Sequence, residues 1–256
     1  MKLFPEIKLS IHLTSVSPGT DAAAGAAAAF AACSNLYQNR VFSNSYSGPA
    51  TLQNSTYANL LLQHAQALYT FATSSSKVVY QDSVPEAGDA YPSSGFGDEL
   101  AIAALFLSWA TNSSSLFDEA GSYYSQYDLA GYKGAFNWDT KTPGIPVLFA
   151  QIAQADSTFG NISTWQGRAE TYFDELVYGG GNRYTTTGTV SWFTPGLALH
   201  GLTGGLLYYP GDSDNASLNP ALNAAMLLNR YVPLATTQKK KQDYYVKSFS
   251  SICFSG

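Results

Sequence analysis

A glycine- and serine-rich turn followed by two carboxylates is the part of this 256-residue chain best equipped for chemistry. The turn occupies residues 93–97, and Asp98 and Glu99 follow it at the start of an apolar stretch. Hydroxyl, carbonyl and carboxylate oxygens close together are the ligands that calcium prefers. Two acids in the first turn of a helix also complement the helix dipole. The residues therefore leave a calcium site and simple helix capping as equal alternatives.

A second segment with chemical character combines aromatic rings with an acid. It has the sequence Phe136-Asn137-Trp138-Asp139 and also precedes an apolar stretch. The whole chain is rich in aromatic rings, with 18 Tyr, 14 Phe and 4 Trp. Aromatic faces with few charges around them suit a neutral, polyhydroxylated ligand, because rings pack on the C–H faces of sugars. An aromatic core explains the same composition equally well.

The low charge of the chain excludes several classes of function. Charged residues make up 12% of the chain and the net charge is −5, whereas globular proteins average roughly 25% charged residues. Because phosphate binding needs clustered Lys and Arg, we expect no nucleic-acid partner. No apolar stretch reaches the ~18–20 residues that span a bilayer, so we expect no membrane insertion.

Zinc and disulfide chemistry find little support in the sequence. The histidines are widely separated and show no zinc-ligand spacing. Two cysteines do not build a disulfide framework. Cys33 lies in an alanine-rich apolar run, where we expect a small buried side chain.

Helices must position these segments, because the dominant pattern along the chain is helical. Apolar residues recur at spacings of three and four among strong helix formers. Apolar helices alternate with amphipathic ones across short loops, which predicts helical hairpins with a buried inner layer and an amphipathic outer layer. The predicted helices cover residues 21–38, 55–73, 98–111, 115–127, 144–155, 163–177, 219–231 and 239–251.

Several segments, in this order along the chain, resemble the catalytic domain of glycoside hydrolase family 9. The strongest are the turn with its two acids and the following apolar helix, and the aromatic-acidic segment with the helix after it. The matching segments are residues 18–24, 91–111, 136–151, 194–196, 204–208 and 219–228. Single segments are weak, but their shared order is specific. The resemblance spans roughly residues 18 to 235.

The resemblance implies an all-α fold, part of an (α/α)6 barrel of helices that lacks N-terminal helices and the C-terminal end. Family members are mainly endo-β-1,4-glucanases that act on cellulose, so we expect a β-glucan partner and a monomer. The implied organisation is a non-family segment at residues 1–17, a partial catalytic domain at 18–238 and a divergent tail at 239–256.

The resemblance also assigns site residues. The family builds a structural calcium site from the turn, the two acids that follow it and an acid after a downstream aromatic residue. Carried over, this implies the calcium ligands Ser94, Gly97, Asp98, Glu99 and Asp139. Tyr91 and Trp138 are the expected substrate contacts, with burial in the core as the alternative for Trp138.

Catalytic residues are not assigned. The family inverts configuration with an Asp base from an Asp-Ala-Gly-Asp motif and a Glu acid near the end of the domain, and this chain shows neither motif in its place. Residues 86–89 imitate the first motif but lie too close to Asp98. We therefore expect weak or absent hydrolysis. The alternatives are a non-catalytic glucan-binding module and a non-functional fragment of a gene model.

The expected location is extracellular, as for the family. The chain contains N-x-Ser/Thr sequons, which are acceptors for N-glycosylation in secreted proteins. They begin at Asn54, Asn112, Asn161 and Asn215. The first residues show no recognisable signal peptide, because Pro5, Glu6 and Lys8 interrupt any apolar core.

Overall fold

The structure is a computed structural model that describes residues 13–40, 42, 52–89, 91–179, 207–215 and 218–250. Within these ranges the regular elements are helical. The exceptions are an isolated β-bridge between Thr14 and Ser17 and the single bridge residue Leu207. This confirms the predicted all-α class. No helix in the described part is both long enough and apolar enough to cross a membrane. The family-like segment at 194–196 lies outside the described residues.

Eight longer helices are found in the described residues, each within one residue of its predicted bounds. They are α1 (Thr20–Tyr37), α2 (Ser55–Ser74), α3 (Gly97–Thr111), α4 (Ser114–Gln126), α5 (Ile145–Ala155), α6 (Ile162–Tyr178), α7 (Asn219–Tyr231) and α8 (Gln238–Ser250). Short helical turns lie between them, including Pro85–Asp89 and Asp212–Asn215.

The longer helices pair in chain order into four hairpins: α1 with α2, α3 with α4, α5 with α6, and α7 with α8. The first helices of successive hairpins also contact one another, so α1, α3, α5 and α7 form an inner layer and their partners an outer layer. The sequence explains this arrangement. Helix α3 is apolar nearly all round and is buried on nearly all sides, whereas α4 buries only one face.

The apolar interior forms two clusters that meet at Trp165 of α6. The first cluster is built from α1 to α5, and the second from α5 to α8. Phe149 of α5 is fully buried at the junction, with its ring stacked on Trp165 at a centroid distance of 3.5 Å. The edge of Phe117 packs against it at 4.7 Å. Aromatic packing therefore joins the two clusters.

Helix α8 packs against the second cluster, although residues 239–256 were expected to form a divergent tail. Tyr244 of α8 is fully buried and contacts the rings of Phe173 and Tyr231. Lys240 forms ion pairs with Glu170 at 2.8 Å and Asp174 at 2.7 Å on α6. The described part of this segment is thus an integral outer helix.

The Glu170 carboxylate makes the stability of this contact dependent on pH. Burial raises the pKa of Glu170, but hydrogen bonds from Lys240 and Thr236 outweigh burial and leave the pKa below its usual value. Because the pKa of Glu170 is lower in the folded than in the unfolded protein, its carboxylate contributes fully to stability at pH values above its pKa in the unfolded state. This contribution is lost as the pH falls through the pKa of the folded state. We therefore expect the urea concentration at the midpoint of unfolding to decrease when the pH is lowered below about 5, and protonation of Glu170 to cause part of this decrease.

The measurement is urea unfolding from pH 7 to pH 3 for the native chain and for Glu170→Gln. The variant lacks the titrating carboxylate, so its stability should be lower at pH 7 and should decline less on acidification. Parallel pH profiles for the two proteins would contradict a role for Glu170.

The prediction that Cys33 is buried is wrong, because its side chain is exposed on α1. The exposed face of α1 also carries Ala22, Ala29 and Leu36, while the opposite alanines pack into the first cluster. Alanine occurs on all sides of this helix, so the sequence does not distinguish the buried face from the exposed one.

Candidate functional site

The turns before α3 and α5 lie against each other, and the predicted site residues lie on them. The backbone N–H of Ser94 donates to Asp139 Oδ1 at 2.7 Å. In the opposite direction, the backbone N–H of Lys141 donates to Asp98 Oδ2 at 2.6 Å. These bonds tie the start of one inner helix to the start of the next.

The turn before α3, residues 93–97, is shaped by packing against Tyr127 and by the side-chain amide of Gln81. A Cβ atom on Gly97 would lie 2.5 Å from the ring of Tyr127, so only glycine fits there. The side chain of Gln81 bonds both the N–H and the carbonyl of Ser93, at 3.1 and 2.7 Å. Helix α3 has no side-chain cap at Phe96. Its two acids reach across to the second turn instead of capping their own helix.

The second turn is organised by Asn137. Its Oδ1 accepts hydrogen bonds from the backbone N–H groups of Asp139 at 3.0 Å and Thr140 at 2.9 Å. Such an Asx turn fixes the backbone without regular structure. The Asn137 amide also donates to Asp212 Oδ1, far along the chain. The amide of Asn223 on α7 donates to the carbonyl of Phe136 at 2.8 Å and ties the turn to a third inner helix.

Lys141 is the cation of the site. Its Nζ atom lies 2.7 Å from Glu99 Oε1, 2.7 Å from the carbonyl oxygen of Trp138 and 3.4 Å from that of Asp139. Glu99 is 3% exposed, and its other oxygen, Oε2, is buried without a hydrogen-bond partner. Burial and the neighbouring Asp98 raise the pKa of Glu99 to about 8, while Lys141 opposes the shift.

The predicted calcium ligands are brought together only in part. Asp98, Glu99 and Asp139 each accept a hydrogen bond from a protein donor, and for Glu99 that donor is the ammonium of Lys141. Calcium needs six to eight oxygens around it, and in the described part no three acidic, His or Cys side chains are grouped to hold a metal ion. The donor set as it stands does not fit a resident calcium ion. Calcium binding stays a prediction.

The predicted substrate contacts form an exposed aromatic pair beside this junction. Trp138 is 52% exposed and Tyr91 is 69% exposed. Their rings meet edge to face, with centroids 5.2 Å apart. The carbonyl of Trp138 is held by Lys141. The structure therefore favours a surface role for Trp138 over burial in the core. Trp109, by contrast, is buried in α3.

The imitation of a catalytic motif at residues 86–89 has no catalytic setting. It lies in the short helical turn Pro85–Asp89, and both Glu86 and Asp89 are exposed. No ion pair or side-chain hydrogen bond joins either acid to another described residue. Leaving the motif out of the catalytic assignment stays a prediction.

Sequence reasoning missed four residues that build the site: Gln81, Asn137, Lys141 and Asp212. Asn137 gave a usable signal, because Asn within a short polar connection often forms a turn. Gln81 and Asp212 gave none, since their partners Ser93 and Asn137 lie outside their own local segments. Lys141 gave no signal either, because a lysine in a polar loop is usually a solvated surface charge.

Comparison with known proteins identifies relatives of the chain. The model of glycosyl hydrolase family 9 matches residues 7–252, a range wider on both sides than 18–238. Endoglucanase 13 of Arabidopsis thaliana is 32% identical over 191 residues, covering 73% of this chain and 35% of that protein. The chain thus spans about a third of the length of this curated relative.

Solved structures share the helical architecture. An endoglucanase from the termite Nasutitermes takasagoensis superposes with a TM-score of 0.67 at 26% identity, covering 94% of this chain and 47% of that one. An endoglucanase of Clostridium thermocellum complexed with cellobiose and cellotriose has a TM-score of 0.58 at 23% identity, covering 91% and 33%. The four hairpins are therefore part of an (α/α)6 barrel, as predicted.

Proposed function

The chain belongs to glycosyl hydrolase family 9, and from this premise we propose that it acts on β-1,4-glucan, with the described residues supplying part of the sugar-binding rim. The observation that carries the proposal is the exposed pair of Tyr91 and Trp138, fixed on two cross-linked turns. For the whole protein, the proposed activity is that of an inverting endoglucanase on cellulose.

The chemistry of the rim suits an uncharged polysaccharide. Aromatic rings pack on the C–H faces of glucose. The charged groups beside the pair are engaged with one another or with backbone groups of the two turns. The edge-to-face contact holds Tyr91 and Trp138 together as one surface. Because Lys141 binds the carbonyl of Trp138, the Trp138 side of this surface is anchored before a ligand arrives. A preorganised surface loses less entropy on binding.

Hydrolysis by these 256 residues alone is proposed to be weak. Inverting cleavage needs two carboxyl groups about 6.5–9.5 Å apart, one as acid and one as base. Near the aromatic pair, the acids Asp98, Glu99 and Asp139 are each engaged by a donor from the opposite turn. Such contacts serve structure and leave the proton-transfer roles unfilled.

Replacing Trp138 with alanine should weaken binding of cellohexaose roughly tenfold, because about 1–2 kcal/mol of stacking and buried area is lost. Calorimetric titration measures the affinity, and sedimentation with insoluble cellulose measures the bound fraction. Tyr57→Ala is the matched control, since Tyr57 is 42% exposed on α2. Equal losses in the two variants, or none in Trp138→Ala, would contradict the rim.

Reducing sugar released in the same incubations separates the candidate functions. Binding without product agrees with the proposed weak hydrolysis and favours a glucan-binding role for these residues. Release at rates typical of an endoglucanase would overturn the weak-hydrolysis proposal while leaving the rim intact. No binding by the native chain would overturn both.

Secretion is proposed for the protein on the basis of its sequons. Asn54, Asn112 and Asn161 are all exposed. Asn54 and Asn161 cap helices through Oδ1, which leaves the Nδ2 atom that carries a glycan on the solvent side of the cap. The side chain of the fourth sequon asparagine, Asn215, lies outside the described residues.

A further inference from the structure

The ammonium of Lys141 lies between the Glu99 carboxylate and two backbone carbonyls at the junction of the turns before α3 and α5. We propose that Lys141 is the built-in cation of this junction: it takes the place that a divalent ion would occupy and makes the junction independent of added calcium. The inference is independent of the proposed action on glucan, because it concerns only the cation that the junction uses.

The geometry satisfies the ammonium completely. A lysine ammonium has three N–H donors and no acceptor. The Nζ atom has three oxygen acceptors within reach: Glu99 Oε1 at 2.7 Å, the Trp138 carbonyl at 2.7 Å and the Asp139 carbonyl at 3.4 Å. The same residue donates its backbone N–H to Asp98. Lys141 alone therefore reaches both acids of α3 and the carbonyls of the second turn.

A cation at this place stabilises the charged forms of two buried acids. Asp98 is 6% exposed and Glu99 is 3% exposed, and buried carboxylates are costly unless they are paired. The N-terminus of the 15-residue helix α3 supplies only partial positive charge. Among the described residues, the ion-pair partner of Glu99 is Lys141, and 29% of the Lys141 side chain is exposed.

The same oxygens are not available to a second cation. Calcium binds oxygens at about 2.3–2.6 Å and gathers six to eight of them. An ammonium that already lies 2.7 Å from Glu99 Oε1 and from the Trp138 carbonyl would be repelled by a divalent ion at those atoms. Glu99 Oε2 is the buried oxygen left without a partner. It is the ligand that a metal would recruit once the ammonium is removed.

The proposal predicts opposite responses to calcium in the native chain and in Lys141→Met. Calorimetric titration of the native chain with calcium should give no binding heat, and neither calcium nor EDTA should change its melting temperature. Lys141→Met should melt roughly 5–10 °C lower, because a buried carboxylate loses its partner. Millimolar calcium should restore several degrees of that loss in the variant.

Terbium(III), a luminescent substitute for calcium, gives a second measurement that does not need the variant to be stable on heating. Terbium emission sensitised by tryptophan should appear with Lys141→Met, because Trp138 is a neighbour of the emptied position, and should be absent with the native chain. Lys77→Met is the matched control, since Lys77 is exposed and bonds only the Thr73 carbonyl of α2 among the described contacts. It should behave as the native chain.

Two results would overturn the proposal. Calcium binding by the native chain, or a fall in its melting temperature in EDTA, would show that the junction holds a metal despite Lys141. A Lys141→Met variant with native melting temperature and no response to calcium or terbium would show that the ammonium is not the cation of the junction. If Lys141→Met does not fold, the measurements on the native chain still decide whether the junction holds a metal. Lys141→Gln then serves as the variant for the calcium and terbium measurements.

Discussion

Replacing Phe149 with alanine is expected to lower the free energy of unfolding by about 3–5 kcal/mol. Phe149 is fully buried where the two apolar clusters meet, stacked on Trp165 and packed against the edge of Phe117. Removing the ring leaves a cavity and abolishes both aromatic contacts. The loss is a large part of the 5–15 kcal/mol that typical domains possess.

Urea unfolding followed by circular dichroism measures the effect. The matched control is Phe30→Ala, because Phe30 is 36% exposed on α1 and its ring contact is a tilted one with His64. The control should cost less than about 1 kcal/mol. Similar losses in the two variants would show that the junction between the clusters contributes no special stability.

Replacing Lys240 with methionine is expected to cost about 2–4 kcal/mol. Lys240 binds both Glu170 and Asp174, and the side chain of Glu170 is only 7% exposed. Without the ammonium, Glu170 keeps its bonds from Thr236 but loses its counter-charge. The expected loss lies below that of a fully buried pair, since 25% of the Lys240 side chain is exposed.

The neighbouring Lys239 provides the control for the same substitution on the same helix. It pairs with Asp243 four residues on, and 77% of its side chain is exposed. Exposed pairs of this kind contribute about 0–1 kcal/mol, so Lys239→Met should change the urea midpoint little. If Lys240→Met were equally mild, α8 would be held by Tyr244 and its apolar neighbours alone.

The helices were predictable from sequence because their signals are local. Strong helix formers and apolar spacings of three and four define each of them to within one residue. What the sequence did not define is the buried face of α1, because alanines occur on both its buried and its exposed sides. The prediction of burial for Cys33 failed there because the pattern contains no contrast between faces.

The C-terminal helix was predicted at residues 239–251, but the side that it buries was not. Lys240, Tyr244 and Ser248 recur every four residues and lie on one face of α8, and Tyr244 and Ser248 are buried. Three consecutive lysines make this segment look like a solvated tail. The spacing of its few inward residues was the better guide to packing.

For the candidate site, sequence supplied the acids and the aromatic pair but not what connects them. The proximity of Asp98 and Asp139 followed from resemblance, whereas the role of Lys141 depends on where two turns meet in space. Exposure of Trp138 was left open for a similar reason. Whether an aromatic ring is covered depends on neighbours that the local sequence does not contain.

The pairing of each helix with the next one along the chain has a consequence for how the protein forms during synthesis. Contacts between neighbours in sequence close small loops, which favours rapid folding. Counting the described residues, the first cluster has its buried members once Phe159 has been made, whereas the second waits for Tyr244. At the usual rates of translation, that interval lasts roughly 4–17 s. Until α7 is made late in this interval, the side of α5 that carries Val147 and Ala150 has no partner from it, and a nascent chain is open to chaperones there.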